Sequence, residues 1–425
     1  MKKIAIIVPC LLRGGISANA INLARMLLEN YKVDLVALEK GCDYQMPVDV
    51  NYHSLTKIAG DGSLLLKLLA GPYQVLRARR VLNENKYDLL ISFAVRPSMI
   101  WRIAKNKKVK LLSTLRSYPS AHISGERLPP MIKAVRSALF RFYFRNLGWF
   151  ADRIICNSKL AAADLINTFG ANAERVGVIY NSFDLPEIRR LSVQPLSDGY
   201  NEVFKNPVMI SVGSPKKPKG QWHLIRIYHH VRKTVPGLKL MIIGDSELSH
   251  DLVLLSKSFG LKTFAGFNNE VPANHTEYDV YFTGQQKNPY KFMQRSAIFA
   301  LTSLWEGFPN VLVEAMACGL PVISTDCRSG PRELLAPGTN PSHETFTPEF
   351  AEYGLLMPNF DHSYRLTTEP LDKTELIWLE TLVSLLKDPA QYKGYIEKGF
   401  ERTEEFAWDK IGKEWKREIA SVLEK

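Results

Sequence analysis

At 425 residues the chain is too long for one ordinary hydrophobic core, and it is expected to divide into two domains of roughly 200 residues each. Its 46% hydrophobic and 23% charged content is that of a globular protein, and no stretch approaches the ~20 apolar residues of a membrane-crossing helix. The five cysteines (Cys10, Cys42, Cys156, Cys318, Cys327) form no CxxC pair, which argues for a reduced compartment and against a disulfide framework or zinc site, while the net charge of +12 favours a polyanionic partner.

The apolar run at residues 3–9 is too short for a leader peptide and meets Arg13-Gly14-Gly15, so it reads as a buried parallel strand. A helix is predicted over 18–30, with Ile21, Ala24, Leu27 and Leu28 on one face, and the next strand over 32–38. Further strands are predicted at 88–93, 110–114 and 153–156, with helices between them. This alternation indicates βαβ units around a parallel sheet. Between Leu64 and Phe150 stand 17 Lys and Arg against three acids, Glu84, Asp88 and Glu126, so the positive charge is concentrated there.

The pattern restarts with a strand at 207–213, a basic turn, a helix over 221–235 and a strand over 238–243, with later strands at 298–301 and 321–324. Two doubly wound α/β domains are therefore expected, bounded at 1–185 and 207–399, with a polar linker at 186–206 containing Pro186 and Pro195. A C-terminal helix is predicted over 400–425. Trp408, Ile411, Trp415, Ile419 and Val422 recur on it at three- and four-residue spacing, as for a helix packing back toward the first domain. Ligands of open α/β sheets bind beyond the strand C-termini, which puts the expected site in a cleft between two Rossmann-like lobes.

The stretch at 301–333, LTSLWEGFPNVLVEAMACGLPVISTDCRSGPRE, carries the chemistry. A strand ends in a turn holding Glu306, Pro309 suits the first position of a helix, and Glu314 lies on that helix. Open first-turn amides around Asn310, Val311 and Leu312 would form an anion site flanked by the two carboxylates. That layout suits a diphosphate carrying polyhydroxylated groups on both sides.

The run Glu306-Gly307-Phe308-Pro309-Asn310-Val311-Leu312-Val313-Glu314 resembles the E-x7-E signature of family 4 glycosyltransferases with the GT-B fold. The flanking segments strengthen the match, and the STDC-x-SGP-x-E ending is similar to enzymes that assemble capsule, O-antigen or undecaprenyl-linked glycans. The resemblance extends to Arg13-Gly14-Gly15, a counterpart of the family's glycine loop, and to VIYNSFDLPEI at 178–188, with Asn181 and Asp184 in place. In VGSPKKPKGQ, at 212–221, Gly213 and Lys219 match the diphosphate-binding turn, but Ser214 stands where the family usually has arginine. Lys216 and Lys217 are candidates to supply that charge, without arginine's bidentate geometry.

The resemblance implies a retaining hexosyltransferase, with an acceptor-binding first domain and a nucleotide-sugar-binding second domain. It would move a hexose or N-acetylhexosamine from a nucleotide diphosphate sugar, UDP-sugar foremost, to a lipid-linked or growing surface glycan. The departing phosphate would take the acceptor's proton in a front-face reaction. In this reading Glu306, Lys219 and Arg116 are catalytic. Gly15, Gly213, Lys216, Lys217, the run 307–312 and Glu314 hold the donor. Arg116 lies in STLRSYPS at 113–120, where it could contact a donor or acceptor phosphate or be a plain surface arginine, and His122 is nearby. No cofactor is implied, and without a D-x-D triplet no metal is expected.

Residues 129–150 interleave Lys133, Arg136, Arg141 and Arg145 with Leu139, Phe140, Phe142, Tyr143, Phe144, Trp149 and Phe150. Either this segment lies on an anionic membrane surface, as for a peripheral protein at the inner face of the cell membrane, or it is an ordinary helix with solvated arginines. A nucleic-acid binder, suggested by the basic stretch, is disfavoured because no recognised module is present and the E-x7-E context would be unexplained, so no nucleic-acid partner is expected. A catalytically silent sugar-nucleotide binder, suggested by Ser214, and a nucleotide-sugar epimerase on the same fold remain as alternatives. The first turn lacks G-x-G-x-x-G, which disfavours a NAD-dependent dehydrogenase.

Overall fold

The computed structural model describes residues 1–12, 14–106, 108–121, 130–147, 151–267, 270 and 277–424. The chain forms two compact units, Met1–Phe183 with Phe406–Lys425, and Asp184–Glu405.

The first unit is built on a seven-stranded sheet of order β3-β2-β1-β4-β5-β6-β7. Its strands are β1 (Lys3–Val8), β2 (Lys32–Ala37), β3 (Asn51–Ser54), β4 (Leu89–Phe93), β5 (Lys110–Leu115), β6 (Arg153–Cys156) and β7 (Val176–Val178), every pair parallel. Strands such as LLISF are buried along their whole length, because helices cover both faces of a parallel sheet. The helices are α1 (Gly15–Leu27), α2 (Leu64–Leu69), α3 (Gly71–Asn85), α4 (Val95–Ala104), α5 (Pro130–Arg145) and α6 (Lys159–Asn167). Ala78, Trp101, Phe144 and Leu165 carry α3, α4, α5 and α6 into one core beneath the sheet. Ile21 and Ala24 of α1 form the core on the opposite face.

The second unit holds an eight-stranded sheet of order β10-β11-β9-β8-β12-β13-β15-β14. Its strands are β8 (Val208–Val212), β9 (Lys239–Ile243), β10 (Thr263–Ala265), β11 (Val280–Phe282), β12 (Ile298–Leu301), β13 (Val322–Thr325), β14 (Glu349–Phe350) and β15 (Leu355–Met357). All pairs are parallel except the edge pair β14–β15. The longer helices of this unit are α7 (Leu185–Ser192), α8 (Gln221–Thr234), α9 (Ser249–Ser258), α10 (Asn310–Ala317), α11 (Pro331–Leu335), α12 (Lys373–Lys387) and α13 (Ala390–Thr403). The chain then returns to the first unit as α14 (Trp408–Glu424), where Ile411, Trp415, Ile419 and Val422 are buried in the α1 core. Each such side chain contributes roughly 1.5–3 kcal/mol of burial.

Several boundaries differ from the sequence reading. The first helix begins at Gly15 and ends at Leu27, three residues earlier than expected at each end, because the glycine turn is tight. The stretch at 186–206 is not a bare linker. It carries α7, capped by Asp184 accepting from Glu187 N–H at 3.1 Å, and belongs to the second unit. The tail is not one helix from residue 400. α13 ends at Thr403, and a 3₁₀ turn at Glu404–Phe406 separates it from α14. Pro309 caps α10 from outside rather than occupying its first turn.

Candidate active site

In the second sheet β8 is flanked by β9 and β12. The chain leaves β8 toward one side and returns on the other, so the loops after β8 and β12 diverge at a switch point, where doubly wound sheets bind ligands. The first loop contains a single 3₁₀ turn, Lys217–Lys219, closed by Gly220. Leu304 N–H donates to Pro218 O at 2.7 Å and the Thr302 hydroxyl to Lys219 O at 3.1 Å, stitching the two loops together. Gly220 makes this closeness possible. Its φ is +56°, and a Cβ there would stand 2.4 Å from Thr302 O.

The stitching brings Lys219 Nζ to 2.6 Å from Glu306 Oε1, and the Ser303 hydroxyl donates to the same oxygen at 2.7 Å. The turn holding Glu306 is braced from the loop after β13. Glu306 N–H donates to Arg328 O at 2.9 Å, Ser329 N–H to Glu306 O at 3.1 Å, and the Ser329 hydroxyl to Gly307 O at 2.8 Å. Both groups keep open valences. The ammonium has three N–H donors and gives one to Glu306, while Glu306 Oε2 accepts nothing among the described residues.

Glu314 lies on α10, half-buried, and burial pushes its carboxyl up to about 7 against the opposing pull of Lys219. Lys219 therefore acts electrostatically on both acids of the motif. The anion site expected at the helix start is narrower than the sequence suggests. Asn310 N–H already donates to Phe308 O at 3.0 Å and Leu312 N–H to Pro309 O at 2.9 Å, so two of the three amides are used in closing the turn. Phe308 itself is buried. Gly213 lies against the Lys219 stem, where an added Cβ would be 3.3 Å from Cε.

Lys216 and Lys217 do not join the Lys219–Glu306 pair. They line a separate cavity of about 640 Å³ with Ser246, Asp251 and Tyr364, and Lys217 Nζ sits 5.4 Å from the centre of the Tyr364 ring.

In the first unit Gly15 opens α1, whose N-cap Gly14 offers no side-chain bond. Arg116 follows β5. Its guanidinium lies 4.7 Å from the Phe93 ring centre and 6.0 Å from that of Trp415, and Nη1 donates to Asn181 Oδ1 at 2.5 Å. Its Nε is buried without a partner, and among the described residues no carboxylate pairs with it. Burial holds its pKa down at about 10. It is thus no plain surface arginine. Arg141 and Arg145 are exposed on α5. The side chains of Lys133 and Arg136 fall outside the described residues, as do Arg13, His122, Trp149 and Phe150 altogether.

Sequence reasoning missed Ser303 and Ser329, which hold the Glu306 turn, and the Phe93–Trp415 enclosure of Arg116. Both serines left a local signal: Ser329 is the serine of SGP in the 324–333 ending, and Ser303 stands three residues before Glu306, just beyond β12.

Comparison with known proteins gives the family and the fold. A model described as Glycosyltransferase Family 4 matches residues 13–187, and one described as Glycosyl transferases group 1 matches 196–346. An uncharacterized glycosyltransferase of Methanocaldococcus jannaschii is 31% identical over 363 residues, covering 84% of each chain. The N-acetylgalactosamine-N,N'-diacetylbacillosaminyl-diphospho-undecaprenol 4-alpha-N-acetylgalactosaminyltransferase of Campylobacter jejuni is 28% identical over 336 residues, covering 79% of this chain and 83% of that one. The crystal structure of Anabaena HepE in complex with UDP-glucose superposes with a TM-score of 0.68 at 19% identity, covering 99% of this chain and 100% of that one, a likeness of fold. The chain belongs to the family 4 glycosyltransferases and has their GT-B fold.

Proposed function

We propose that this glycosyltransferase moves a hexose or N-acetylhexosamine from a UDP-sugar to a lipid-linked or growing surface glycan, with retention of anomeric configuration and without a metal. The observation that carries this reading is the Lys219–Glu306 pair at the switch point, bonded at 2.6 Å yet with donors and an oxygen to spare. The two open N–H groups of Lys219 meet the diphosphate and stabilise the charge it gains as the glycosidic bond breaks. Glu306 Oε2 accepts sugar hydroxyls and orients the donor, and Glu314 accepts those of the ribose. The leaving phosphate oxygen takes the acceptor's proton, so no protein nucleophile is needed. Lys216 and Lys217 remain candidates for the outer part of the donor.

Two relatives support the substrate classes: HepE has been crystallised with UDP-glucose, and the Campylobacter relative is named for an undecaprenol diphosphate acceptor. We assign the acceptor to the first unit, with Arg116 contacting its phosphate. The exposed Arg141 and Arg145 of α5 contact an anionic membrane surface, at the cytoplasmic face where UDP-sugars are found.

The deciding experiment is a thermal-shift panel of nucleotide sugars followed by UDP-release assays with EDTA. One UDP-sugar should stabilise the wild type specifically, and turnover should survive chelation. Equal, negligible shifts with every donor, or a strict manganese requirement, would refute the reading.

A further inference from the structure

The exposed large apolar side chains of the protein are unevenly placed. On α2 and α3, Leu66, Leu69, Tyr73 and Leu76 are 57%, 69%, 54% and 62% exposed. Their spacing of three, four and three residues draws one stripe, because the helical bonding runs through the junction: Ala70 N–H donates to Leu66 O and Gln74 N–H to Ala70 O. Met99 and Ile103 repeat the pattern on α4. On α5, Met131, Val135, Leu139 and Phe142 are exposed at spacings of four, four and three. A monomer in water rarely leaves three neighbouring amphipathic helices with apolar outer faces.

The three stripes lie on one side of one sheet. α3, α4 and α5 bury Ala78, Trp101 and Phe144 in the same core. The Arg79 guanidinium donates to Ile103 O at 3.3 Å, joining α3 to α4, and Tyr143 of α5 hydrogen-bonds Ser98 of α4. The outer faces of these helices therefore form a single layer, with α4 in the middle. Cations border it: Arg79 and Arg80 on α3, Arg141 and Arg145 on α5, all exposed, with Arg80 paired to Glu84 at 2.7 Å. Apolar side chains ringed by cations, with scarcely an acid, match an anionic lipid interface better than a protein partner or a second copy of this basic chain.

We propose that α2, α3 and α4 extend the α5 contact into one docking face for an anionic bilayer, and that the Leu66–Leu76 stripe is the part that enters the interface. The inference rests on the membrane reading of α5 only for that flank. Its geometry has a consequence for the site. α2 is held at the C-terminal edge of the sheet, where Lys67 Nζ donates to Gly60 O at 2.6 Å and Arg96, on the first turn of α4, donates to Lys67 O at 3.0 Å. Docking through α2 brings that edge, with Arg116 on it, against the lipid headgroups, where the phosphates of a lipid-linked acceptor lie.

Flotation of the full chain with phosphatidylcholine vesicles, with and without phosphatidylglycerol, tests this. The wild type should float with phosphatidylglycerol vesicles at low salt and far less with phosphatidylcholine alone. Leu66→Ser/Leu69→Ser/Tyr73→Ser should lower the partition ~10-fold or more, with the far-UV circular dichroism and the unfolding midpoint of the full chain unchanged as a check on folding. If that variant floats like wild type while Leu139→Ser/Phe142→Ser does not, the inference falls and the α5 contact stands. Equal flotation on neutral vesicles would overturn the choice of an anionic surface. A wild-type dimer that the α2–α3 variant dissociates would assign the stripe to a second copy instead.

Discussion

Both units place a cation at the C-terminal edge of a parallel sheet, and the two cations are treated in opposite ways. Lys219 has a carboxylate at 2.6 Å, held there by two loops that hydrogen-bond to each other. Among the described residues Arg116 meets an amide oxygen and two aromatic rings but no carboxylate. A neutralised cation in a low-dielectric site acts as part of a preformed frame, adding stabilisation when new charge develops beside it. A buried guanidinium with no counter-ion carries a desolvation cost that an arriving anion would relieve. The same topology thus yields one cation neutralised by a neighbouring carboxylate and another that, among the described residues, has no carboxylate counter-ion.

The largest effect should come from breaking the paired site. Lys219→Ala and Glu306→Gln should each lower kcat about 10²–10³-fold, measured as UDP release at saturating donor. If each retained wild-type turnover, the pair would be a structural strut. Next, Arg116→Gln should cut kcat/KM for the acceptor about 10–100-fold and leave donor affinity unchanged, with Arg116→Lys recovering part of the loss. Its thermal stability should equal or exceed that of wild type, because an unpaired buried charge is removed. Loss of stability instead would mean that the Asn181 and aromatic contacts outweigh the burial cost.

The smallest effect concerns Glu314. Its carboxyl titrates near 7 in the folded protein against an ordinary value of 4.5. Between those values the folded state keeps a proton that the unfolded chain has released, so stability falls as pH rises through that window and the full penalty applies above about 7. Glu314→Gln should therefore match wild type near pH 4 and exceed it by a few °C at pH 8, read by thermal unfolding without nucleotide. A constant difference across that range would place the cause outside this carboxyl.

Much of this was legible in the chain. Strands such as KIAIIV and LLISF announce themselves as continuous apolar runs, and the Glu306–Glu314 run within its flanking segments points to the candidate site. What was hidden depends on contacts distant in sequence. Nothing near Arg116 tells that Trp415, from the far end of the chain, will cover it. Lys216 and Lys217, in the loop after β8, stood as candidates for the charge of the arginine absent at Ser214, but a 3₁₀ turn points successive side chains in different directions, and Lys217 meets Tyr364 rather than the Lys219–Glu306 pair. The α2–α3 stripe was invisible for a related reason. An apolar helical period shows that one face is greasy, whereas only the fold shows that the core has already taken the other face.

The return of α14 to the first unit bears on the order of events at the ribosome. Trp408 N–H donates to Phe183 O and Phe183 N–H to Phe406 O, so the two crossings of the chain run side by side. Until Ile411, Trp415, Ile419 and Val422 have been synthesised, the groove along α1 lies open to water. The half made first is therefore finished last, and it must wait, with an apolar seam exposed, while the half made second is translated in full.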